Sequence, residues 1–534
     1  MSDATVPRPS TLASLPLASW AFALRGWIAV VAALYVAFWL QLEAASSAAV
    51  CVGILAFPTR GQALEKAGFR LLATVIGVAM SIVLAGAFSQ TRDLLLLAFA
   101  AWVGLCVYAA YVSDGNRAYA AALSGYTVAI VAIQEIDAPQ HLFETGLARG
   151  AAITVGIAVI AVVNDLLAAP DRHVGLADQL AKLHVRVRGL ARTATRGESA
   201  DPVPTAGLLR EIAALRSEML SLATESANGS NRSAAARSAA VALVAEVHAA
   251  RVLAAVDTAR RDRASREVLR RDREAGEALA ALTSGARPAH AWRTPLYRCH
   301  RFAVEAGVRG ALWVAMASAA FVLGGWSATA ISLTQVAVVV GLGATAPDPR
   351  RFTLLALITG IIAAPCAGVL EFLVLDGTTE FPLLALALAP VVVGSALLLA
   401  QPSAAVSAAG RLILINTLVI LGLSNPQSYN PETFLDVSLF VCLAPVLVMA
   451  AQALIQPVSD EHRRRWMIDS ARRELACLQS PKRARYAPEE AMFRDAGRIG
   501  QIAALGGPAA QLEEALGLFD QAGMIRLREQ GPAR

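Results

Sequence analysis

Three arginines in this sequence stand at the head of long apolar runs, where charged residues are scarce: Arg117, Arg149 and Arg411. A guanidinium is planar, offers two parallel N–H donors to a carboxylate, and keeps its charge when buried. Uncharged hydrogen-bonding side chains follow them: Tyr119, Ser124, Tyr126 and Thr127 after Arg117, and Asn416 and Thr417 after Arg411. Arg117, Tyr126, Thr127, Arg149, Arg411 and Asn416 are therefore the residues with which this chain could hold an organic anion in a low-dielectric cleft. Each arginine also has a plainer reading. Arg149 suits an interfacial residue snorkelling to lipid phosphate, and Arg117 and Arg411 suit anchors at the cytoplasmic face. Arg25 and Arg309, beside Trp27 and Trp313, read as interfacial anchors. For a group that changes charge with a proton, Asp165 beside Asn164 is the best candidate, followed by Glu43 and Asp436.

Catalysis is not the chemistry these residues indicate. The chain has no GxxxxGK[ST] phosphate loop, no HExxH and no GxSxG. Its six cysteines include no CxxC pair and its seven histidines are scattered, so neither a metal site nor a cofactor is expected. His141, beside Phe143 and Glu144, reads as a surface or capping residue.

The elements that must position the arginines are membrane helices. With 56% hydrophobic and 16% charged residues in 534, the chain has more apolar surface than a soluble protein can bury. Backbone groups in hydrocarbon must be satisfied within the segment, and about 20 apolar residues cross the core. The runs are continuous, not alternating, which disfavours a β-barrel. The first six spans are expected at Ala21–Leu40, Ala44–Phe57, Gly68–Ala87, Leu94–Tyr111, Ala118–Ile133 and Gly146–Ala169. The second six are expected at Glu305–Leu323, Ser327–Ala344, Phe352–Leu375, Pro382–Ala400, Gly410–Leu423 and Phe434–Gln456. The fold class is thus all-α and polytopic, with domains 1–20, 21–169, 170–302, 303–456 and 457–534. Pro58 and Pro347 could each break a helix, with an ordinary loop as the alternative, and Pro365 should kink the ninth span.

Basic residues are retained in the cytoplasm, which sets the orientation. Arg60, Lys66 and Arg70 in a connection from Pro58 to Arg70, and Arg350 and Arg351, fall on one side; Glu43, Glu135, Asp137, Glu144, Glu371, Asp376 and Glu380 fall on the other. Both termini and the central polar segment are then cytoplasmic. The net charge of +6 reports this topology more than a partner, because the arginines of Arg260 to Arg273 alternate with acids and no nucleic-acid module is present. Three helices are expected in the central segment, Val174–Thr195, Thr205–Thr224 and Ser230–Leu282, the last with an apolar stripe that could pack on its neighbours or on a second copy in a homo-oligomer. Further helices are expected in the tail at Glu461–Cys477, Pro488–Ala504 and Ala509–Arg528.

The two halves echo one another. Arg25-Gly26 opens the first span as Arg309-Gly310 opens the seventh, and Arg117 opens the fifth as Arg411 opens the eleventh, a pattern of two parallel six-helix repeats. Pro58-Thr59-Arg60-Gly61 with Lys66, Arg70, Thr74 and Gly77, then Trp102 to Cys106, Arg117-Ala118-Tyr119 and Ser124 to Thr127, resembles the motifs of the fusaric acid resistance family of aromatic acid exporters. Ala73 and Ser47 depart from the family pattern. The resemblance implies a multi-pass protein of the bacterial inner membrane that exports aromatic or hydrophobic carboxylic acids, driven by the proton gradient and paired with a periplasmic membrane-fusion adaptor protein. Its substrates are then small organic anions. A passive organic-anion channel and a membrane-anchored sensor or scaffold are the alternatives.

Overall fold

The computed structural model describes residues 16–56, 60–167, 172–198, 201–257, 260–325, 329–377, 380–478 and 486–529. Among these the regular secondary structure is all helical, with no strand. In chain order the helices are α1 (Leu17–Trp39), α2 (Ala45–Leu55), α3 (Arg60–Phe88), α4 (Arg92–Tyr111), α5 (Gly115–Val128), α6 (Leu142–Leu166), α7 (Arg172–Thr195), α8 (Pro202–Ala214), α9 (Arg216–Ser221) and α10 (Gly229–Ala255). They continue as α11 (Arg261–Ser284), α12 (His300–Gly324), α13 (Thr329–Gly343), α14 (Pro349–Val369), α15 (Phe381–Leu399), α16 (Ala404–Leu421), α17 (Pro431–Leu454), α18 (Asp460–Leu478), α19 (Pro488–Ala504) and α20 (Ala509–Glu529). The chain forms two compact units: residues 1–110, 119–170 and 306–455 make one, and residues 111–118, 171–305 and 456–534 the other.

The first unit is built for lipid. Exposed apolar side chains line its helices, among them Leu72, Val75 and Val83 on α3 and Ile358, Ile361 and Ile362 on α14. In water such faces would demand a partner; in a bilayer they are the solvent-facing side. Ten helices of the described chain are long and apolar enough to span, and nine of them lie wholly or mainly here. Helix α2 and the apolar run Ile331–Gly343 are shorter. With no hydrophobic drive between helices in lipid, close approach depends on small residues. A Cβ on Gly104 of α4 would sit 2.7 Å from the Gly307 carbonyl oxygen of α12, so these backbones touch only because both positions are glycine.

Contacts between the halves of this unit are reciprocal. Helix α1 packs on α15, as α12 packs on α4; α2 packs on α16, as α13 packs on the π-turn Ala129–Ile133 that ends α5. A second π-turn, Leu370–Val374, ends α14. Pro365 lies inside α14, five residues before that turn begins. Pro347 lies in the loop before α14, whose first turn is capped by the Asp348 carboxylate accepting from the N–H groups of Arg350 and Arg351. The Pro58 turn, and the helix break considered there, fall outside the described residues.

Two expectations are corrected. The segment from Pro58 to Arg70 is not a connecting loop at its far end: α3 begins at Arg60, so Lys66 and Arg70 are helical, and both are buried. Arg25 and Arg309 are likewise buried, each over an aromatic ring, Phe22 and Trp313 respectively.

The second unit has a core of its own. The expected helix Ser230–Leu282 is instead a hairpin, α10 and α11, because Val256 turns extended and Asp257 follows it, ending α10. The turn lets α11 fold back along α10. Helix α10 is apolar and long enough to span a bilayer, yet 78% of its apolar window is buried inside the protein, against 33–50% for the other nine candidates. Packed by α7, α8, α11 and α19, it is the central helix of this unit, and protein covers the apolar surface that lipid would otherwise cover.

Candidate functional site

A cavity of about 540 Å³ lies within the first unit, walled by α2, α3, α5 with its π-turn, α6, α13 and α16. Four cations reach it: Lys66 and Arg70 from α3, Arg149 from α6 and Arg411 from α16. Tyr119 and Tyr126 from α5 and Asn416 from α16 also line it, with apolar walls from Ile130, Val338 and Ile415. Among the described lining residues there is no aspartate or glutamate.

The cations divide by what they hold. Lys66 donates to the Ile54 carbonyl at 3.2 Å, and Arg411 donates to the carbonyls of Ile54 at 2.7 Å and Ala56 at 3.2 Å. These are carbonyls at the C-terminal end of α2, left without helical partners and carrying the negative end of its dipole, so two cations seal that end. Lys66 also sits 4.5 Å from the centre of the Tyr119 ring. Arg70 donates through Nη1 to the Tyr119 hydroxyl, and Arg149 through Nη1 to Ser47 Oγ at 3.4 Å. The Nε atoms of Arg70 and Arg149 are buried without a hydrogen-bond partner. A buried donor left unmade costs the empty protein free energy.

Local sequence explains the positions. Lys66, Arg70 and Thr74 recur every fourth residue and Gly77 follows three later, so all four share one face of α3. Gly77 is where α3 meets α5, since a Cβ there would come within 2.5 Å of Thr127 Cβ. Thr127 is consumed by that contact: it is buried, its hydroxyl donates to the Leu123 carbonyl at 2.7 Å, and it does not line the cavity. The π-turn after α5 then brings Ile130 and Gln134 into the wall, while Thr334 of α13 donates to the Ala129 carbonyl at 3.2 Å. Asn416 donates to Thr359 Oγ1 of α14 at 3.4 Å.

Of the residues singled out in the sequence, Tyr126, Arg149, Arg411 and Asn416 meet in this cavity. Arg117 does not; it is exposed and belongs to the second unit. Asp165 is exposed at the end of α6. The buried acid of this unit, among the described residues, is Glu371 in the π-turn after α14, and its Oε2 has no hydrogen-bond partner. Lys66, Arg70 and Tyr119 were not among the binding candidates, although the four-residue recurrence on α3 carried the signal for the first two.

The model of the fusaric acid resistance protein family matches residues 19–268 and 237–519. An uncharacterized transporter of Escherichia coli K12, YdhK, is 30% identical over 200 residues, 37% of this chain and 30% of that protein. The p-hydroxybenzoic acid efflux pump subunit AaeB of Edwardsiella tarda is 24% identical over 496 residues, 80% of this chain and 76% of that protein. An uncharacterized transporter of Gluconobacter oxydans is 31% identical over 151 residues, 27% of this chain and 20% of that protein. The chain thus spans less than a third of the length of the YdhK-like transporters it matches. No solved structure matches it.

Proposed function

We propose, on the premise that this chain belongs to the fusaric acid resistance protein family, that it is an inner-membrane efflux transporter for aromatic or hydrophobic carboxylic acids, driven by the proton gradient. The observation that carries the reading is a cavity in the lipid-facing unit with four cations, two tyrosines, an apolar wall and no described acid. An aromatic acid is an anion at neutral pH, so it needs a fixed cation for its carboxylate and an apolar surface for its ring. Arg70 and Arg149 supply the cation and the unmade N–H donors; Lys66 and Arg411 hold the end of α2 and add positive field. The efflux-pump relatives act on p-hydroxybenzoic acid and are described as pump subunits, which supports a hydroxybenzoate-like substrate and a periplasmic adaptor as partner. In this reading the basic connections, both termini and the second unit face the cytoplasm.

Proton coupling requires an acid whose charge changes as the transporter alternates, and a carboxylate out of water is costly to keep ionised. Glu371 is buried and Asp165 exposed, so coupling is assigned to Glu371. The test is p-hydroxybenzoate transport in proteoliposomes holding the full chain. Uphill movement under an imposed pH gradient, lost in Glu371→Gln while exchange of labelled for unlabelled substrate persists, is the expected result. Flux that only follows the anion's own gradient would make the protein a channel and overturn the exporter.

A further inference from the structure

The second unit holds a group of side chains that transport does not use. Glu246 stands on α10, at the centre of that unit's core, with none of its surface exposed. Neither of its carboxylate oxygens has a hydrogen-bond partner. An isolated carboxylate so placed is among the most costly side chains a core can hold, and cores that keep one supply a proton or a cation to it. Burial and the nearby Asp272 push the Glu246 carboxyl up to about 8, against a lowering by Arg188.

The neighbours of Glu246 are metal ligands by type. His184, from α7, brings its Nε2 to 3.7 Å from Glu246 Oε2 and to 2.7 Å from Asp272 Oδ1 of α11. The three donor atoms lie within 4.8 Å of one another. Donors at zinc-ligand distances around a tetrahedral ion stand about 3.3 Å apart, so the observed 2.7 and 3.7 Å bracket the spacing an ion would impose. Arg188 donates through Nη2 to the other Asp272 oxygen at 3.1 Å and would remain there as an orienting partner while its Nε releases Oδ1.

We propose that His184, Glu246 and Asp272 form a binding site for one divalent transition-metal ion of the zinc class, tying together α7, α10 and α11. One imidazole with two carboxylates suits zinc or manganese and disfavours calcium and magnesium, which prefer oxygen donors alone. The ion neutralises the buried Glu246 and supplies the partner both its oxygens lack. The spacing of 184, 246 and 272 matches no sequence motif, and only the packing of three helices assembles it.

The test uses the full chain in detergent, stripped of metal by a chelator and titrated calorimetrically with zinc chloride. One equivalent per chain is expected, with affinity falling at least about 100-fold in Glu246→Gln and His184→Ala. Zinc should also raise the unfolding temperature of the wild type and leave that of Glu246→Gln unmoved. Glu246→Gln keeps the shape and removes the buried charge, so it folds where a larger change would not. Cobalt(II) in place of zinc gives a second readout, visible d–d bands stronger than those of aqueous cobalt, as a four- or five-coordinate ion gives, and lost in His184→Ala. Absence of stoichiometric uptake by the wild type, or uptake equal in wild type and both variants, overturns the proposal.

Discussion

The two units treat buried charge in opposite ways. In the second unit, Glu246 apart, buried cations and acids are paired: Arg271 reaches Glu267, Glu274 and Glu489 at 2.9–3.0 Å, and Asp495 is held by Arg498 and Arg526 at 3.1 and 2.7 Å. In the first, the cavity cations reach carbonyls, a serine hydroxyl and a tyrosine, no acid is among the described lining residues, and the buried acid Glu371 stands elsewhere. Internal pairing fixes a structure and leaves nothing for a ligand. Charge without a permanent counterion is costly to the empty protein and is suited to a mobile one.

The largest effect expected from that contrast is on stability in the second unit. Arg271→Met strips Glu489 of its buried cation, and removing one member of such a pair costs about 3–5 kcal/mol. Urea unfolding of the solubilised protein should show the loss, while the substrate KM of the folded fraction stays at the wild-type value. A wild-type midpoint would mean that the pairing is ornamental and the contrast unfounded.

In the cavity, Arg70→Met should do the reverse. It removes a cation that the proposed function assigns to the substrate, so binding of p-hydroxybenzoate should weaken by about 2–5 kcal/mol while thermal stability is kept or raised. Arg70→Lys should recover little, because a point charge cannot reproduce the planar fork. Binding measured by calorimetry decides it, and an unchanged affinity in Arg70→Met would remove the anion site from this cavity.

How much of this was legible in advance follows the same division. The membrane helices stand out because a bilayer makes each segment its own problem of length and apolarity; α1–α6 and α12–α17 fall where spans are expected, with ends up to eight residues away, and nine of these twelve are long and apolar enough to cross. Helix α10 breaks that rule, since apolarity alone cannot say whether lipid or protein covers a helix; nor did the stripe from Val241 to Val256 reveal the turn to α11. In the cavity, Arg149, Arg411, Tyr126 and Asn416 were visible as polar exceptions in apolar runs. Lys66 and Arg70 were hidden because charge near a Pro-containing turn reads as loop, and only the helix start at Arg60 turns their four-residue spacing into a face. The exposure of Arg117 and the packing of Thr127 on Gly77 are tertiary facts with no local signature.

Acid should separate the units by a smaller margin. Burial alone would raise the Asp495 carboxyl, but the Arg498, Arg526 and Arg494 guanidiniums outweigh it and hold the group below the ordinary carboxylate range. A carboxyl depressed in the folded state contributes stability above its unfolded value, near 3.9, and that contribution is lost as pH falls through the folded value. Stability of the second unit should therefore decline as the medium is brought below about pH 4, and Asp495→Asn should show a flatter decline from a lower starting point. Unfolding followed by denaturant at several pH values measures both; an equal slope in the two proteins would remove Asp495 as the cause.

The smallest effect belongs to charges that are paired but wet. Arg186 and Glu211 in the second unit make two hydrogen bonds, yet their side chains are 51% and 44% exposed. Water screens the attraction and already satisfies both groups, so a double-mutant cycle on Arg186→Ala and Glu211→Ala should return about 0.2–1 kcal/mol. Geometry alone would rank this pair beside Arg271 and Glu489; desolvation ranks it far below. A coupling near that of the buried pair would mean that contact geometry, not removal from water, sets the value of charge in this protein, and the case for Arg70 and Arg149 as an anion site would lose its physical basis.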